Sequence, residues 1–406
     1  MTLINPIPVA ADRATLLARL PDLAKQIAVG AAERDLKREL PFEAFRLVRA
    51  SGITALRIPE RLGGPGGSVE DVIEAIAVIS TGDSNVGHAL RSHFNYVETQ
   101  ILTPDEDRAP EAIPRILQGR LFAGAHTELG TAKPGDITVR LTRDGENYRL
   151  SGRKWYATGT AFADYASFSA LDEEGQPTGA MIPVDREGLS ILDDWDGMGQ
   201  KLTASGGVLL DNVLVYPHEL GRKVNDGLIG RHTSTLRQLH LAACAGGAIR
   251  AALTEGIDYV RNHARATHHS PAATAREDHF VQKVVGEIAA RSLAIDALLR
   301  ESARTLDRSA TALLAGDPDV IETALIESAL TTSRTQLVLA ELGLKAAEQI
   351  FELGGGTATS TRFNFDRHWR NIRTVLNHNP LLHKARVVGD YYINGTTTHL
   401  LEGRVF

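Results

Sequence analysis

The apolar residues of this chain change period twice, from helical to alternating and back, and that ordering restricts the fold more than any single motif. Through residues 11–118, Leu17, Leu20, Leu23 and Ile27, then Phe45, Leu47 and Val48, recur at the spacing of one helix face. The run breaks at Pro59-Glu-Arg-Leu-Gly-Gly-Pro-Gly-Gly67, a loop by composition. Ser68, with Asp71 three residues on, predicts the N-cap of a new helix. From about residue 119 the pattern alternates: Ile137, Val139 and Leu141 are separated by polar residues, Asp144-Gly145 supplies a turn, and Tyr148 and Leu150 resume the alternation. Further short runs at Tyr165–Leu171, Ala180–Val184 and Val208–Val215 have no long helix between them, so an antiparallel sheet or barrel is expected. From about residue 229 the helical period returns. Val281, Val284, Val285, Ile288, Ile295 and Leu299 make one stripe, and Ile321–Phe351 a second amphipathic stretch, which predicts a bundle ending at Gly354-Gly355-Gly356. The expected class is α+β: a helical domain over 1–118, a β-domain over 119–228 and a helical bundle with a distinctive tail over 229–406.

Composition narrows the function. At 406 residues the chain exceeds the size at which one core stops growing, so two or three domains are expected. A 43% hydrophobic content and a net charge of -6 exclude a disordered chain. Lys plus Arg at 44 against Asp plus Glu at 50, with no basic block, argues against a nucleic-acid partner. The single cysteine, Cys244, excludes an internal disulfide and suits a reducing, cytoplasmic setting. The fourteen histidines lack metal-ligand spacing, so no metal is expected. The first residues lack the basic stretch and apolar core of a signal peptide. The longest apolar run, Leu241–Leu253, is interrupted by Arg250 and is shorter than a membrane span, so a soluble protein is expected.

Three segments can carry chemistry. In Phe122-Ala-Gly-Ala-His-Thr-Glu-Leu-Gly-Thr131, small residues let a flat ligand approach the backbone and Thr127 can donate a hydrogen bond; a plain strand-to-loop junction is the competing reading. In Lys154-Trp-Tyr-Ala-Thr-Gly159, aromatics beside a Thr-Gly turn suit a ring system with a polar edge; a hairpin with core aromatics competes. Arg362, Arg367, Arg370 and Arg373, with Trp369, His368 and His378, form a basic island in an acidic chain. It suits an anion, against a set of surface ion pairs. No H-E-x-x-H, Walker or G-x-S-x-G motif occurs, and Gly63–Gly67 does not sit in a βαβ setting.

Taken in order, the pieces Ile58–Gly66, Thr127-Glu128, Asp144-Gly145, Gly152-x-Lys154, Thr158-Gly159 with Ala163-Asp164, and Gly199–Val215 with Thr203-Ala-Ser-Gly206 resemble the acyl-CoA dehydrogenase superfamily over essentially the whole chain. Lys154–Gly159, Asp194-Trp-Asp-Gly-Met-Gly-Gln200, Asp366-Arg-His-Trp-Arg-Asn-Ile-Arg-Thr374, His378-Asn-Pro380 and Gly389-Asp-Tyr-Tyr-Ile-Asn-Gly395 resemble its two-component flavin monooxygenase branch, typified by dibenzothiophene monooxygenase. An acyl-CoA dehydrogenase needs a glutamate base. Of the two positions that family uses, one falls here on His378-Asn379 and the other near Arg237-Gln238, with no acid at either.

The resemblance implies an N-terminal helical domain, a central antiparallel β-barrel domain and a C-terminal four-helix bundle. It further implies that a separate flavin reductase supplies reduced flavin, FMN first and FAD as the alternative. Oxygen adds to the flavin as a hydroperoxide, and one atom passes to a small sulfur compound. Oxygenation of an amine nitrogen, or true acyl-CoA dehydrogenation, are the alternatives. By the same resemblance Thr127, Thr131, Tyr156 and Thr158 would hold the flavin ring, Arg370 with Arg261 or Arg265 its phosphate, and His93 and His378 the oxygenating group and its proton. His263 stands where the family has an arginine, and Ala157 where relatives carry a polar residue. A homotetramer built on the bundle is implied as well.

Overall fold

A computed structural model describes residues 11–133, 135–221, 227–378 and 380–400. The readings of the first ten residues, of the last six and of Asn379 in the His378–Pro380 motif therefore lie outside the described residues. The helical first part holds α1 Arg13–Ala28, α2 Ala31–Lys37, α3 Phe42–Ser51, α4 Val69–Gly82, α5 Ser84–Ala89, α6 Arg91–Leu102 and α7 Ala112–Leu117. The expected cap is present. Ser68 Oγ accepts from the Asp71 amide at 3.0 Å and the Asp71 carboxylate accepts from the Ser68 amide at 2.7 Å, satisfying two end donors of α4 reciprocally. Arg13 clamps the same carboxylate at 2.6 Å and so ties α1 to the start of α4.

The strands are β1 Phe122–Ala125, β2 Arg140–Asp144, β3 Asn147–Lys154, β4 Tyr165–Leu171, β5 Pro177–Pro183, β6 Leu189–Ile191 and β7 Val208–Val215. They form one sheet in the order β1-β4-β2-β3-β7-β6, with β5 on β4. Asp144 pairs with Asn147 across the expected hairpin turn, where Gly145 takes a positive φ of 64°. Pairing is antiparallel at β2–β3, β3–β7, β4–β5 and β6–β7, as expected. It is parallel at β1–β4 and β2–β4, because β4 returns to its partners only after the whole β2–β3 hairpin has intervened. Alternate residues of β4 (Ala166, Phe168, Ala170) are buried, which puts one face of the sheet on the core.

The last part is built on α8 Leu228–Asn262, α9 His279–Ala315 and α10 Pro318–Gln349, followed by α11 Asp366–Asn377 and α12 Leu381–Asn394. The apolar run within α8 is buried on every side, against α4, α6, α9, α10 and α11, which is why it carries no polar face. Gly247 lets α4 approach: a Cβ there would lie 2.3 Å from the Ala77 carbonyl oxygen. Arg250, the interruption in that run, reaches out to Glu74 at 2.8 Å and Asp296 at 2.9 Å and so joins α4, α8 and α9 at the surface. Ile288, Ile295 and Leu299 of the expected α9 stripe are buried in the same core. Among the described residues, no helix is long and apolar enough to cross a membrane.

Candidate active site

The two segments singled out for a flat ligand adjoin. The Trp155 amide donates to the Thr127 carbonyl at 2.8 Å, so the end of β1 and the turn after β3 form one edge. Tyr156 holds a left-handed φ of 56°, rare for a residue with a side chain, and is 48% exposed. Trp155 and Trp195 flank that ring edge-on at 6.4 and 6.0 Å. Thr158 is buried and shares a hydrogen bond with Ser205 at 2.7 Å, and Ser205 another with Thr203 at 2.6 Å. The Thr203–Gly206 segment thus supports the turn from beneath. Gly159 brings it against the end of α5, where a Cβ would lie 2.3 Å from the Ala89 carbonyl oxygen. Thr131 lies apart in the loop after β1, its hydroxyl donating to the Lys133 carbonyl at 3.0 Å.

Behind this edge sits a buried ion pair. Lys154 donates to Glu128 at 2.6 Å and to Ser169 at 3.0 Å. Glu128 also accepts from the Thr138 amide at 2.8 Å and the Val139 amide at 3.2 Å, so both of its carboxylate oxygens are engaged. Burial opposes the carboxylate's ionisation, but Lys154 and Thr138 outweigh it and hold the pKa below the usual range.

The histidines divide sharply. His93 of α6 spends both ring nitrogens on backbone: Nε2 donates to the Thr54 carbonyl at 2.9 Å, and the Phe122 amide reaches Nδ1 at 3.4 Å. Burial pushes its pKa to about 4, so it is neutral and braces β1. His240 of α8 donates to the Gly87 carbonyl at 2.8 Å and is held near 3 by burial. His88 meets Gln200 at 3.2 Å through Nδ1, and its buried Nε2 has no partner among the described residues. The Gln200 backbone amide donates to the Asn371 side-chain oxygen at 2.6 Å, so the Asp194–Gln200 and Asp366–Thr374 motifs meet at this point.

His126 and His378 are of another kind. Both present accessible surface. Yet protein surrounds His126 so closely that burial, followed by the charges of Lys154, Arg237 and Arg91, pushes it to about 4. His378, just past the end of α11, is pushed to about 3 by the charge of Arg91 first and by burial second. These exposed rings mark a hollow between the Thr127–Trp155 bridge and the Ala89 carbonyl that Gly159 abuts. Two arginines share it: Arg91, which opens α6, and Arg237 of α8, three residues before His240 on the same face.

The arginine-rich α11 resolves differently. Arg370 donates to Asp35 at 2.8 Å, Asp366 at 2.7 Å, the Asn364 side chain at 3.0 Å and the Met198 carbonyl at 3.1 Å. Arg367 pairs with Glu255, which His368 also reaches at 3.0 Å. Arg362 lies 4.4 Å over the Phe363 ring. Arg261 and Arg265, at the far end of α8 and just beyond it, are exposed. Arg261 stands ~36 Å along the helix axis from Arg237. The structure therefore joins Thr127, Tyr156 and Thr158 along one edge and sets His378 within reach of the charge of Arg91. It holds His93 behind β1, Arg370 within its own ion pairs, and Arg261 and Arg265 at a distance. Sequence reading missed Arg91 and His126. An arginine within the apolar stretch Val86–Phe94, with no acid three or four residues away, was the available signal for the first.

A flavin fits the edge by its donor set. Exposed Thr127, Tyr156 and the strand backbone supply neutral donors and an aromatic wall, and the neighbouring Glu128 carboxylate is taken up by Lys154.

The chain is similar to known proteins over most of its length. Residues 239–381 match the family described as Acyl-CoA dehydrogenase, C-terminal domain. A probable FMNH2-dependent monooxygenase, SfnC of Pseudomonas putida, is 28% identical over 95% of this chain and 97% of its own length. The amino sugar nitrososynthase DnmZ of Streptomyces peucetius is 30% identical over 87% of each chain. Among solved structures, the dibenzothiophene monooxygenase TdsC of Paenibacillus sp. A11-2 with FMN bound superimposes with a TM-score of 0.83 at 28% identity, covering 94% of this chain and 98% of that one.

Proposed function

The chain belongs to the acyl-CoA dehydrogenase superfamily, in its branch of flavin-dependent monooxygenases, and on that premise we propose that it uses reduced FMN from a separate flavin reductase to oxygenate a small sulfur compound. The observation that carries this reading is the donor set of this region among the described residues: His126 and His378 are held neutral, Arg91 and Arg237 have no acidic partner, and Glu128, the carboxylate beside Thr127, is taken up by Lys154. A dehydrogenase drawing a proton from carbon needs such a base. When bound, reduced FMN supplies two electrons and two protons, so that one atom of O2 enters the substrate and the other leaves as water.

The chain's own residues then have distinct tasks. Thr127 and the Trp155–Thr158 turn orient the ring. Tyr156 and Trp195 shield it from solvent. His378, kept neutral by Arg91 and by burial, accepts or donates a hydrogen bond at the oxygenating edge without carrying charge there. Arg370 positions the Met198–Gln200 segment rather than holding phosphate within its own chain. Arg261 and Arg265, too far along α8 to serve the same site, are assigned to the flavin phosphate of a neighbouring copy. That assignment belongs with a tetramer joined through the bundle, where Phe280 and Leu293 lie 79% and 71% exposed on α9. The division at residues 118 and 228 and a cytoplasmic setting belong to the same reading.

A second reading, oxygenation of nitrogen, is favoured by the nitrososynthase at 30% identity. Supplying reduced FMN from a reductase, and screening sulfides, sulfinates and amines for products heavier by one oxygen, separates the two. A protein that purifies with tightly held FAD and is bleached by an acyl-CoA would contradict both.

A further inference from the structure

Several half-buried arginines of this fold are neutralised. Arg57 meets Glu98 at 2.8 Å, Arg370 meets Asp35 at 2.8 Å, and Arg186 meets Glu219. Arg91 and Arg237 are the contrast. Among the described residues neither forms an ion pair or donates a hydrogen bond, and Arg91 Nε is buried without a partner. Burial, reinforced by the charge of Arg237, pulls Arg91 down to about 10, and burial pulls Arg237 down as well. Both charges act on His126 in the hollow, and both act on His378. A pair of enclosed guanidinium groups facing one space, beside neutral histidines, is an unfavourable arrangement for an empty or apolar ligand site. It becomes favourable when an anion enters, because a guanidinium fork matches two oxygens of one head group. Arg91 also opens α6, whose positive dipole end adds to the same field.

We propose that Arg91 and Arg237 together bind the oxyanion head of the substrate, a small sulfinate or carboxylate, and present the rest of the molecule to the flavin edge at Thr127. This rests on the flavin monooxygenase reading and adds the charge of the substrate and the residues that recognise it. Arg91 follows Ala89, whose carbonyl lies against Gly159 of the Trp155–Gly159 turn, and the His240–Gly87 hydrogen bond at 2.8 Å ties the α8 face that carries Arg237 to α5 beside it.

The test is calorimetric titration of the protein loaded with oxidised FMN, so that no turnover intervenes. The probes are propane-1-sulfinate, butanoate and neutral methyl propyl sulfide. The expected result is anion binding at least ~10-fold tighter than the sulfide, with the sulfinate–butanoate ranking identifying the head group. Arg91→Gln and Arg237→Gln should each weaken the anion at least ~10-fold, Arg237→Lys less, with FMN affinity unchanged within about twofold. Both Gln variants should melt no lower than the parent, since each removes an unpaired, half-buried charge. Equal binding of sulfide and anion would overturn the proposal. So would unchanged anion affinity in the variants, a lowered melting temperature, or a parallel loss of FMN affinity, which would place the flavin phosphate on these arginines. Failure of the parent to take up FMN would sink the monooxygenase reading instead, and the same titration on flavin-free protein would still decide the anion site.

Discussion

Two sets of arginines meet the same interior in opposite ways. On α11, Arg367 and Arg370 each find a carboxylate: Glu255 for the first, Asp35 and Asp366 for the second. On α6 and α8, Arg91 and Arg237 find none among the described residues. The sequence made the first set conspicuous and the second almost invisible. Yet the conspicuous set holds segments distant in the chain together, while the quiet set is left with unsatisfied charge in the hollow. Density of charge in a sequence marks where ions are. Only the fold shows which of them lack a counterion, and those are the ones with free energy to offer a ligand.

Breaking the paired set should produce the largest effect. Arg370→Met would strand Asp35, which is 1% exposed, and should destabilise the fold by ~3–5 kcal/mol in denaturant unfolding. If the loss were under ~1 kcal/mol, the pair would not be a framework device. The unpaired set should respond with the opposite sign. Arg91→Met should leave stability unchanged or raise it, by up to ~1–4 kcal/mol, while removing anion binding. A loss of several kcal/mol would mean that Arg91 has an internal partner after all.

Acidification sharpens the comparison from the histidine side. His93 and His240 have folded pKa values near 4 and 3, below the unfolded value of 6.5, so the unfolded chain binds more protons between those limits. Stability should therefore be full above pH 6.5 and fall as pH drops from there toward 4. At pH 5.5 the loss should be ~1.4 kcal/mol for each such buried histidine. A flat stability profile across pH 5.5–7 would show that these rings are not held neutral. The smallest effect belongs to a local feature: Ser68→Ala should cost ~1 kcal/mol through the lost N-cap of α4, measured as a shift in thermal unfolding.

The local features were legible because their causes are local. The Ser68–Asp71 cap, the Asp144–Asn147 hairpin and the stripe of α9 each depend on residues a few positions apart. The parallel placing of β1 and β2 on β4 was not legible, since strand order depends on packing across the whole sheet. Nor were the partners of α11, because Asp35 lies at the other end of the chain from Arg370. The same holds for His93, whose ring is claimed by the Thr54 carbonyl and the Phe122 amide. Family resemblance pointed to Thr127 and Tyr156 as the proposed flavin edge, but Arg91 stood out only once the fold left its Nε buried without a partner among the described residues.

The most direct test of the account is oxygen-isotope tracing under 18O2, with a flavin reductase, NADH, FMN and a small alkyl sulfinate. The account predicts a product carrying one 18O atom, formed only when reduced FMN and this protein are both present. Product carrying oxygen from water, or NADH consumed with only peroxide formed across sulfur and nitrogen substrates alike, would contradict it.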